Sequence, residues 1–226
     1  MNLSLQAHEL RDYTTNQINT FFPDPNIINL KNCQSAYYLT LERVENCFSH
    51  VNSSRYKKDN QTYFSHLYSD HYVMYLWFLS NTIWKEVGDI SLATKIYYLN
   101  KIMHGFDCMY NTELPDIFLI FHSSGTMLGK AEYSNYFVAL QGCTIGSNNG
   151  KYPKIGKAVS LTAHSSIIGD CEIGDRVSIS SNTSVFEKNI PSDSVVFKNQ
   201  EKGSLEIKSS NKCYAQQFFE TDLKTL

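Results

Sequence analysis

The chain has 226 residues, a formal net charge of −2 at pH 7 and an isoelectric point near 6.4. This length suits one large domain or two modest ones, and the charge gives no basic surface for nucleic acid, so nucleic-acid binding is not expected. The N-terminus lacks a basic start followed by an apolar run, and no stretch of 18 apolar residues occurs. We therefore expect a cytoplasmic protein without a transmembrane segment.

The cysteines form no CxxC pair and are spread over 180 residues. Such spacing favours buried, reduced thiols over a disulfide framework or a zinc site. No metal is expected. The six cysteines are Cys33, Cys47, Cys108, Cys143, Cys171 and Cys213.

The distribution of glycine divides the chain into two parts. Of the 11 glycines only Gly88 lies before Gly105, which predicts an α-helical domain over 1–105 and a turn-rich β architecture after it. The first helix is predicted over residues 1–22, ended by the Pro23-Asp24-Pro25 turn. A second helix is predicted from about Asn26 to Val51, followed by a polar loop over 52–61.

Two more helices are predicted before the boundary. Ser69 or Asp70 can cap the third helix, which Gly88 ends. Asp89 can cap the fourth helix, which ends at Gly105. The apolar and aromatic residues of these helices predict that the domain packs on itself, on the end of the following domain, or on another subunit.

A six-residue repeat runs through residues 155–190. The first position of the blocks is aliphatic in Ile155, Leu161, Ile167, Ile173, Ile179 and Val185. A smaller side chain follows four residues later in Val159, Ser165, Cys171, Val177, Thr183 and Asn189. Neither the helical period of 3.6 nor the strand period of 2 explains this spacing. It is typical of a parallel β-solenoid, in which three blocks close one coil and the leading residues stack inside.

The repeat resembles the hexapeptide-repeat, left-handed β-helix acyltransferases. The fold class predicted is therefore α+β, with an N-terminal α-helical domain over 1–105, a left-handed parallel β-helix over 106–197 and a C-terminal tail or cap over 198–226. The sixes also run backward through Cys108, Leu114 and Ile120, with two extra residues before Leu128 and one missing before Ala139. The polar segment 147–154 predicts a loop leaving the coil, and residues 186–197 predict a closing turn.

The interruption around His122 carries a narrower resemblance. The segment His122-Ser-Ser-Gly125, followed by Leu128-Gly129, is similar to the His-Ala-Thr-Gly segment of serine acetyltransferases, and Asp107 lies fifteen residues earlier, where that family has an aspartate. The resemblance implies that His122 is the general base and Asp107 its orienting partner. Imidazole suits removal of a hydroxyl proton at neutral pH, and a carboxylate on its other nitrogen fixes the tautomer.

Alternatives to this catalytic pair stay open from the residues alone. A single histidine is more often structural than catalytic, and Asp107 could cap the turn after Gly105. His164 is the nearest rival to His122, but its place in a regular block predicts that it points outward from the coil.

The resemblance also implies a site for acetyl-CoA and an assembly. In the family, acetyl-CoA lies along the outer face of the solenoid between subunits of a trimer, so a homotrimer or a multiple of trimers is expected here. Lys154 and Lys157 are further candidates for the phosphates. By position the cofactor-binding residues would be Gly146, Ser147, Lys151, Tyr152 and Ala163.

Departures from the family pattern bear on the acceptor. Phe121 stands where serine acetyltransferases have an aspartate for the substrate amino group, and Tyr152 replaces a loop histidine. Both are predicted substrate-binding residues, and an aromatic face favours a sugar ring. The chain ends in Leu226 rather than isoleucine, so no complex with cysteine synthase is expected.

The segments 68–81, 95–105 and 114–117 resemble a serine-acetyltransferase-like group associated with bacterial capsule and lipopolysaccharide loci. The function implied is acetyl-CoA-dependent O-acetylation of a sugar hydroxyl in a polysaccharide or its precursor, in a bacterial cytoplasm. The alternatives are a serine O-acetyltransferase of cysteine biosynthesis and a non-catalytic solenoid used for assembly. An amino-sugar acceptor also stays open.

Overall fold

The computed structural model describes residues 1–226, which form two compact units. The helical unit consists of residues 1–49 and 53–111, and the solenoid unit of residues 50–52 and 112–226. None of the helices combines the length and the apolar character that crossing a bilayer requires.

The helical unit is built around one central helix. Its helices are α1 (Ala7–Phe21), α2 (Gln34–Ser49), α3 (Ser69–Thr82) and α4 (Ile90–His104). Every residue of α3 from Asp70 to Thr82 is buried, and α3 packs against both α2 and α4. A helix that is apolar on all sides must be enclosed by other elements. Trp77 and Phe78 pack edge to face in this core.

A small sheet replaces two of the predicted elements. Its strands are β1 (Asn2–Leu3), β2 (Lys57–Lys58) and β3 (Gln61–Phe64). β1 pairs parallel to β3, so the helix predicted over 1–22 begins only at Ala7. β2 and β3 form a hairpin whose turn residues Asp59 and Asn60 have φ of +52° and +59°. The loop predicted over 52–61 is therefore wrong for residues 57–61, which form this hairpin. Positive φ at both turn residues is typical of a type I′ hairpin turn.

Glycine and aspartate signals at the helix ends are largely confirmed. The Asp89 carboxylate accepts the backbone N–H of Leu92 at 2.9 Å, and Gly88 and Gly105 are left-handed C-caps. Capping of α3 by Ser69 or Asp70 is wrong, since Tyr68 holds that position and makes no side-chain cap. A π-helical turn, Ile83–Val87, carries α3 on to Gly88, and a 3-10 turn, Leu30–Cys33, replaces the start of the second predicted helix.

Two histidines, the buried His71 and the partly buried His104, make the stability of the helical unit depend on pH. Burial lowers the pKa of His71 to about 3 and that of His104 to about 4, below the ordinary value near 6.5. Their contribution is complete above about pH 6.5 and is lost as the pH falls toward 4, because only the unfolded chain gains protons there.

We expect this effect to cost on the order of 2 kcal/mol per histidine between pH 7 and pH 5. Urea unfolding followed by tryptophan fluorescence measures it, since Trp77 and Trp84 both belong to the helical unit. The variant His104→Gln should lose part of the difference. Equal wild-type midpoints at the two pH values would contradict the expectation.

The solenoid unit has three parallel sheets, one for each face of the coil. The first face contains β4 (Phe118–Ile120), β7 (Phe137–Ala139), β10 (Ser160–Leu161), β13 (Ser178–Ile179) and β15 (Ser194–Lys198). The second contains β5 (Met127–Leu128), β8 (Thr144–Gly146), β11 (Ser166–Ile168) and β14 (Ser184–Phe186). The third contains β6 (Glu132–Tyr133), β9 (Lys154–Ile155) and β12 (Glu172–Ile173).

The strand register confirms the predicted interior stacking. On the second face the pairing aligns Leu128, Ile145, Ile167 and Val185 in one column, and all four are buried. All six leading aliphatic residues of the repeat are buried. The smaller residues are buried too, apart from Asn189, whose side chain accepts the N–H of Glu172 at 2.8 Å. Burying the columns of successive coils together is the main source of stability in such a fold.

The two ends of the solenoid differ from the sequence-based expectations. Cys108 and Leu114 lie in no strand, and the first coil strand begins at Phe118, so the repeat does not extend that far back. The closing turn predicted over 186–197 is wrong for residues 194–197, which belong to β15; this strand pairs with β13 and continues the coil. A final strand, β16 (Leu205–Ser209), pairs antiparallel with β15 and covers that sheet edge.

The six cysteines are free thiols in the structure. Cys143 and Cys171 are buried in the solenoid unit, whereas Cys33 and Cys213 are partly exposed. No group of three His, Cys, Asp or Glu side chains is arranged to hold a metal ion.

Candidate active site

One corner of the solenoid carries two histidines, and we call it the histidine corner. It follows β4, β7, β10 and β13 and comprises residues 122–125, 141–142, 163–164 and 181–182. Backbone hydrogen bonds join its coils: Gly142 N donates to Ser124 O at 3.0 Å, His164 N to Gln141 O at 2.9 Å, and Asn182 N to Ala163 O at 3.1 Å. The first coil is two residues longer here than the coils that follow, as the sequence predicts.

His122 lies in this longer first-coil segment, two residues after β4. Its φ is +51°, and its side chain is exposed to solvent. The next residue, Ser123, is buried. Thr126 N donates a hydrogen bond to Ser123 O at 2.9 Å, which closes the segment as a turn. The local backbone thus fixes the base predicted from the sequence at the surface of the coil, where it can meet a substrate.

His164 occupies the same corner two coils further on. Its φ is +60°, and its ring lies over Gly142, where an added methyl group would come within 2.2 Å of His164 Nδ1. Glycine is therefore required at position 142 for two reasons. Its φ of +66° favours glycine, and the His164 imidazole leaves no room for a side chain. The sequence correctly predicts an outward-pointing side chain, but it gives no sign that His164 shares a corner with His122.

A groove of about 650 Å³ runs beside the histidine corner. On the solenoid side Leu140, Thr162, Ala163, Ser180 and Ser181 line it. On the other side its wall is the C-terminal segment, with Ser210, Lys212, Cys213, Tyr214 and Gln217. The groove lies wholly within the solenoid unit, and its walls are small, hydroxylic and apolar, with one cation. Nothing in the six-residue repeat predicts it, because the tail that closes it lies outside the repeat.

Aromatic contacts connect this groove to the residue before His122. The Phe121 ring packs on Phe218 with centroids 4.8 Å apart, and Phe218 contacts Tyr214 of the groove wall at 5.5 Å. Phe121 also follows β4 as Leu140 follows β7, since Phe121 N donates to Ala139 O and Leu140 N to Leu161 O. Phe121, predicted to bind substrate, therefore belongs to the aromatic cluster at one end of the groove.

The other predicted cofactor residues lie at the next corner. Gly146 ends β8, and Ser147, Lys151 and Tyr152 follow it in the predicted loop, where Tyr152 is exposed. The loop contains a tight turn with reciprocal backbone hydrogen bonds between Asn148 and Lys151, at 3.1 and 2.9 Å.

Two side-chain contacts hold this loop along the following coils. Lys151 Nζ donates to the Asp170 carboxylate at 2.6 Å, and this hydrogen bond raises the pKa of Lys151. Asn148 donates to Glu187 at 2.8 Å. Because both members of the Lys151–Asp170 pair are exposed, the pair adds little stability, and Lys151 can exchange Asp170 for another anion at little cost.

The sheet of β5, β8, β11 and β14 lies between the two corners. One row of its outward residues is small and polar, in Thr144, Ser166 and Ser184, with a hydrogen bond of 2.8 Å from Ser166 Oγ to Ser184 Oγ. The next row contains Gly146, Ile168 and Phe186. At its margins Met127 is 50% and Phe186 55% exposed. This face thus offers a flat, weakly polar surface between Ala163 at one corner and Gly146 at the other.

Asp107, predicted to orient His122, belongs to the helical unit. Its carboxylate accepts hydrogen bonds of 2.7 Å each from the Tyr97 hydroxyl and from Lys101 Nζ. Burial alone would raise the pKa of Asp107, but the bonds from Lys101 and Tyr97 outweigh it and lower the pKa. Asp107 is thus held ionised, as an orienting carboxylate must be. Its pairing with His122 stays a prediction.

Comparison with solved structures gives the class of fold. Serine acetyltransferase isoform 3 from Entamoeba histolytica, in complex with cysteine, is 20% identical with a TM-score of 0.59 over 85% of this chain and 71% of that chain. Serine acetyltransferase from Neisseria gonorrhoeae is 17% identical, with a TM-score of 0.66, and the match covers 90% of this chain and 80% of that chain. Serine acetyltransferase from Brucella abortus strain S19, in complex with coenzyme A, is 15% identical, with a TM-score of 0.66, and the match covers 93% of this chain and 84% of that chain.

These similarities confirm the predicted fold class, an α-helical domain followed by a left-handed parallel β-helix. The chain therefore has the fold of the serine acetyltransferases. No protein-family model and no curated protein sequence matches it.

Proposed function

We propose that the protein is an acetyl-CoA-dependent O-acetyltransferase that acts on a sugar hydroxyl of a bacterial capsule or lipopolysaccharide, as polymer or precursor. The observation that carries the proposal is the histidine corner of a serine acetyltransferase fold. Exposed His122 lies at its enlarged turn, and Ala163 and Ser181 of the same corner line a groove. Fold alone does not define chemistry, so the function is argued from this site.

The proposed reaction needs one base and one leaving thiol. His122 removes the proton of the acceptor hydroxyl as the oxygen attacks the thioester carbonyl, and the protonated imidazole then returns that proton to the departing CoA thiolate. Asp107 is the proposed orienting carboxylate, which would fix the tautomer of His122 and stabilise the imidazolium. Backbone N–H groups of the corner are candidates for stabilising the tetrahedral oxyanion.

Acetyl-CoA fits the flat face between the two corners. The predicted cofactor residues lie on both sides of this face, with Ala163 at one corner and Gly146 and Ser147 at the other. Between them is the outward side of β11, which carries Ser166 and Ile168. A pantetheine arm offers amides to the hydroxyls and backbone of such a surface, and Lys151 and Tyr152 in the adjoining loop would meet the phosphates and the nucleotide. The Brucella abortus serine acetyltransferase of the same fold is solved in complex with coenzyme A.

The groove would hold the acceptor. It opens beside Ala163, and the cluster of Phe121, Phe218 and Tyr214 lies at one end, which places aromatic faces where a neutral sugar ring can stack. Phe121 provides no charge for the ammonium group of serine. These features favour a sugar over an amino acid.

The same outer face supports a proposed homotrimer or a multiple of trimers. Met127 and Phe186 expose apolar surface at the margins of a flat sheet, which a neighbouring subunit would cover. In such a trimer acetyl-CoA would lie between subunits, with the loop at Tyr152 reaching the adjacent coil. No cysteine synthase partner is proposed.

Thiol release from acetyl-CoA tests the function. With purified protein we expect release in the presence of capsule oligosaccharides or sugar nucleotides, and a product heavier by one acetyl group by mass spectrometry. Base treatment distinguishes the products, since an ester is cleaved and an N-acetyl group is retained.

The second candidate function is serine O-acetylation, which the solved serine acetyltransferases favour. Robust turnover of serine with none of the sugars would establish it and refute the sugar acceptor. Absence of thiol release with every acceptor would favour a non-catalytic solenoid and refute both enzymes.

A further inference from the structure

A second cavity, of about 530 Å³, lies in the helical unit. We call it the basic cavity, and its lining residues are Ser54, Arg55, Lys57, Lys58, Tyr63, Ser65, Tyr68 and His71. Three of them are cationic and none is acidic, in a chain whose net charge is −2. A 3-10 turn, Ser54–Tyr56, and the β2–β3 hairpin that follows it bring these cations together. The sequence alone predicts only a polar loop here.

Two of the cations are held in place by aromatic rings. The Arg55 guanidinium lies 5.3 Å from the centroid of the Tyr68 ring and also donates a hydrogen bond to the Tyr68 hydroxyl. Lys58 Nζ lies 5.7 Å from the Tyr63 ring. Such contacts orient flexible side chains before a ligand arrives, which reduces the entropy lost on binding.

A buried donor without a partner lines the same cavity. His71 is fully buried, and its Nδ1 accepts the backbone N–H of Ser65 at 3.1 Å. The proton of a neutral imidazole is then on Nε2, and Nε2 has no hydrogen-bond partner in the chain. A buried N–H left unpaired costs about 1–3 kcal/mol.

We infer that the basic cavity binds a phosphate-bearing ligand, with Arg55, Lys57 and Lys58 as its cationic contacts. Three cations between residues 55 and 58 match adjacent phosphates better than a single carboxylate, because charge-assisted hydrogen bonds add with each oxyanion. Two acidic residues lie nearby, and Asp70 interacts electrostatically with Arg55. Asp59 is exposed at the hairpin turn and Asp70 is buried beside His71, and neither lines the cavity.

This site shares no residue with the proposed active site. It is independent of the acetyltransferase proposal and can be tested without any acceptor. Inorganic pyrophosphate is the probe, titrated calorimetrically without coenzyme A, because coenzyme A carries a pyrophosphate group of its own and would compete for the cavity. Inorganic phosphate, with fewer oxyanions, should bind more weakly than pyrophosphate.

The variant Lys57→Gln/Lys58→Gln should weaken pyrophosphate binding at least about tenfold. The matched control, Lys188→Gln/Lys202→Gln, removes two exposed lysines from the solenoid unit and should bind as the wild type does. Arg55→Lys keeps the charge but loses the planar guanidinium, so it should also weaken binding if the folded hairpin is retained by circular dichroism.

Equal affinity in the cavity variant and the control would overturn the inference. So would the absence of wild-type binding at pyrophosphate concentrations up to about 10 mM, the weak end of specific recognition. Loss in Arg55→Lys together with loss in the double lysine variant, with the control unchanged, would place the ligand in the basic cavity.

Discussion

Replacing His122 by alanine should lower the rate of acetyl transfer by at least about 10²-fold while leaving the fold intact. The side chain is exposed, so its removal opens no cavity in the core. What the variant loses is the base that takes the hydroxyl proton, an interaction made in the transition state. The loss should therefore appear in kcat and in kcat/KM together, with the KM for acetyl-CoA little changed.

His164→Ala is the matched control, because it removes a second exposed imidazole from the same corner. His164 packs over Gly142 and belongs to a regular coil, so we expect its loss to leave activity within a few-fold of the wild type. A greater loss in His164→Ala than in His122→Ala would make His164 the base. Near-normal activity in both variants would move the chemistry away from this corner.

The structure explains why the repeat could be predicted and the site only in part. Ile155 and Ile173 pair directly in the third face, eighteen residues apart, because each coil contains three blocks of six. This regularity appears in the sequence as a short period, so its prediction requires no knowledge of distant contacts. The lengthened turn at His122 is visible for the same reason, as a break in the period.

Features made by pairing across the sequence were missed. β1 pairs with a strand some sixty residues later, and the hairpin of β2 and β3 depends on positive φ at Asp59 and Asn60, neither of which is glycine. The groove needs the tail residues around Tyr214 to return along the coil. Propensity and periodicity describe neighbours in sequence, so they carry little information about such contacts.

The stacked interior makes Ile167 the most sensitive test of the solenoid. Its side chain is fully buried and lies in register between Ile145 and Val185. Ile167→Ala removes packed methyl groups that two neighbouring coils cannot replace, so we expect the solenoid unit to lose roughly 2–5 kcal/mol.

Ile168→Ala is the control, since the adjacent isoleucine is on the opposite side of the same strand and is only partly buried. We expect it to cost less than about 1 kcal/mol. Urea unfolding at one fixed protein concentration should be followed by far-ultraviolet circular dichroism, with tryptophan fluorescence as an internal reference for the helical unit, which contains both tryptophans. Equal losses in the two variants would mean that the inward and outward faces of β11 are wrongly assigned. A loss confined to Ile167→Ala would show that the column of leading aliphatic residues stabilises the coil that carries the histidine corner.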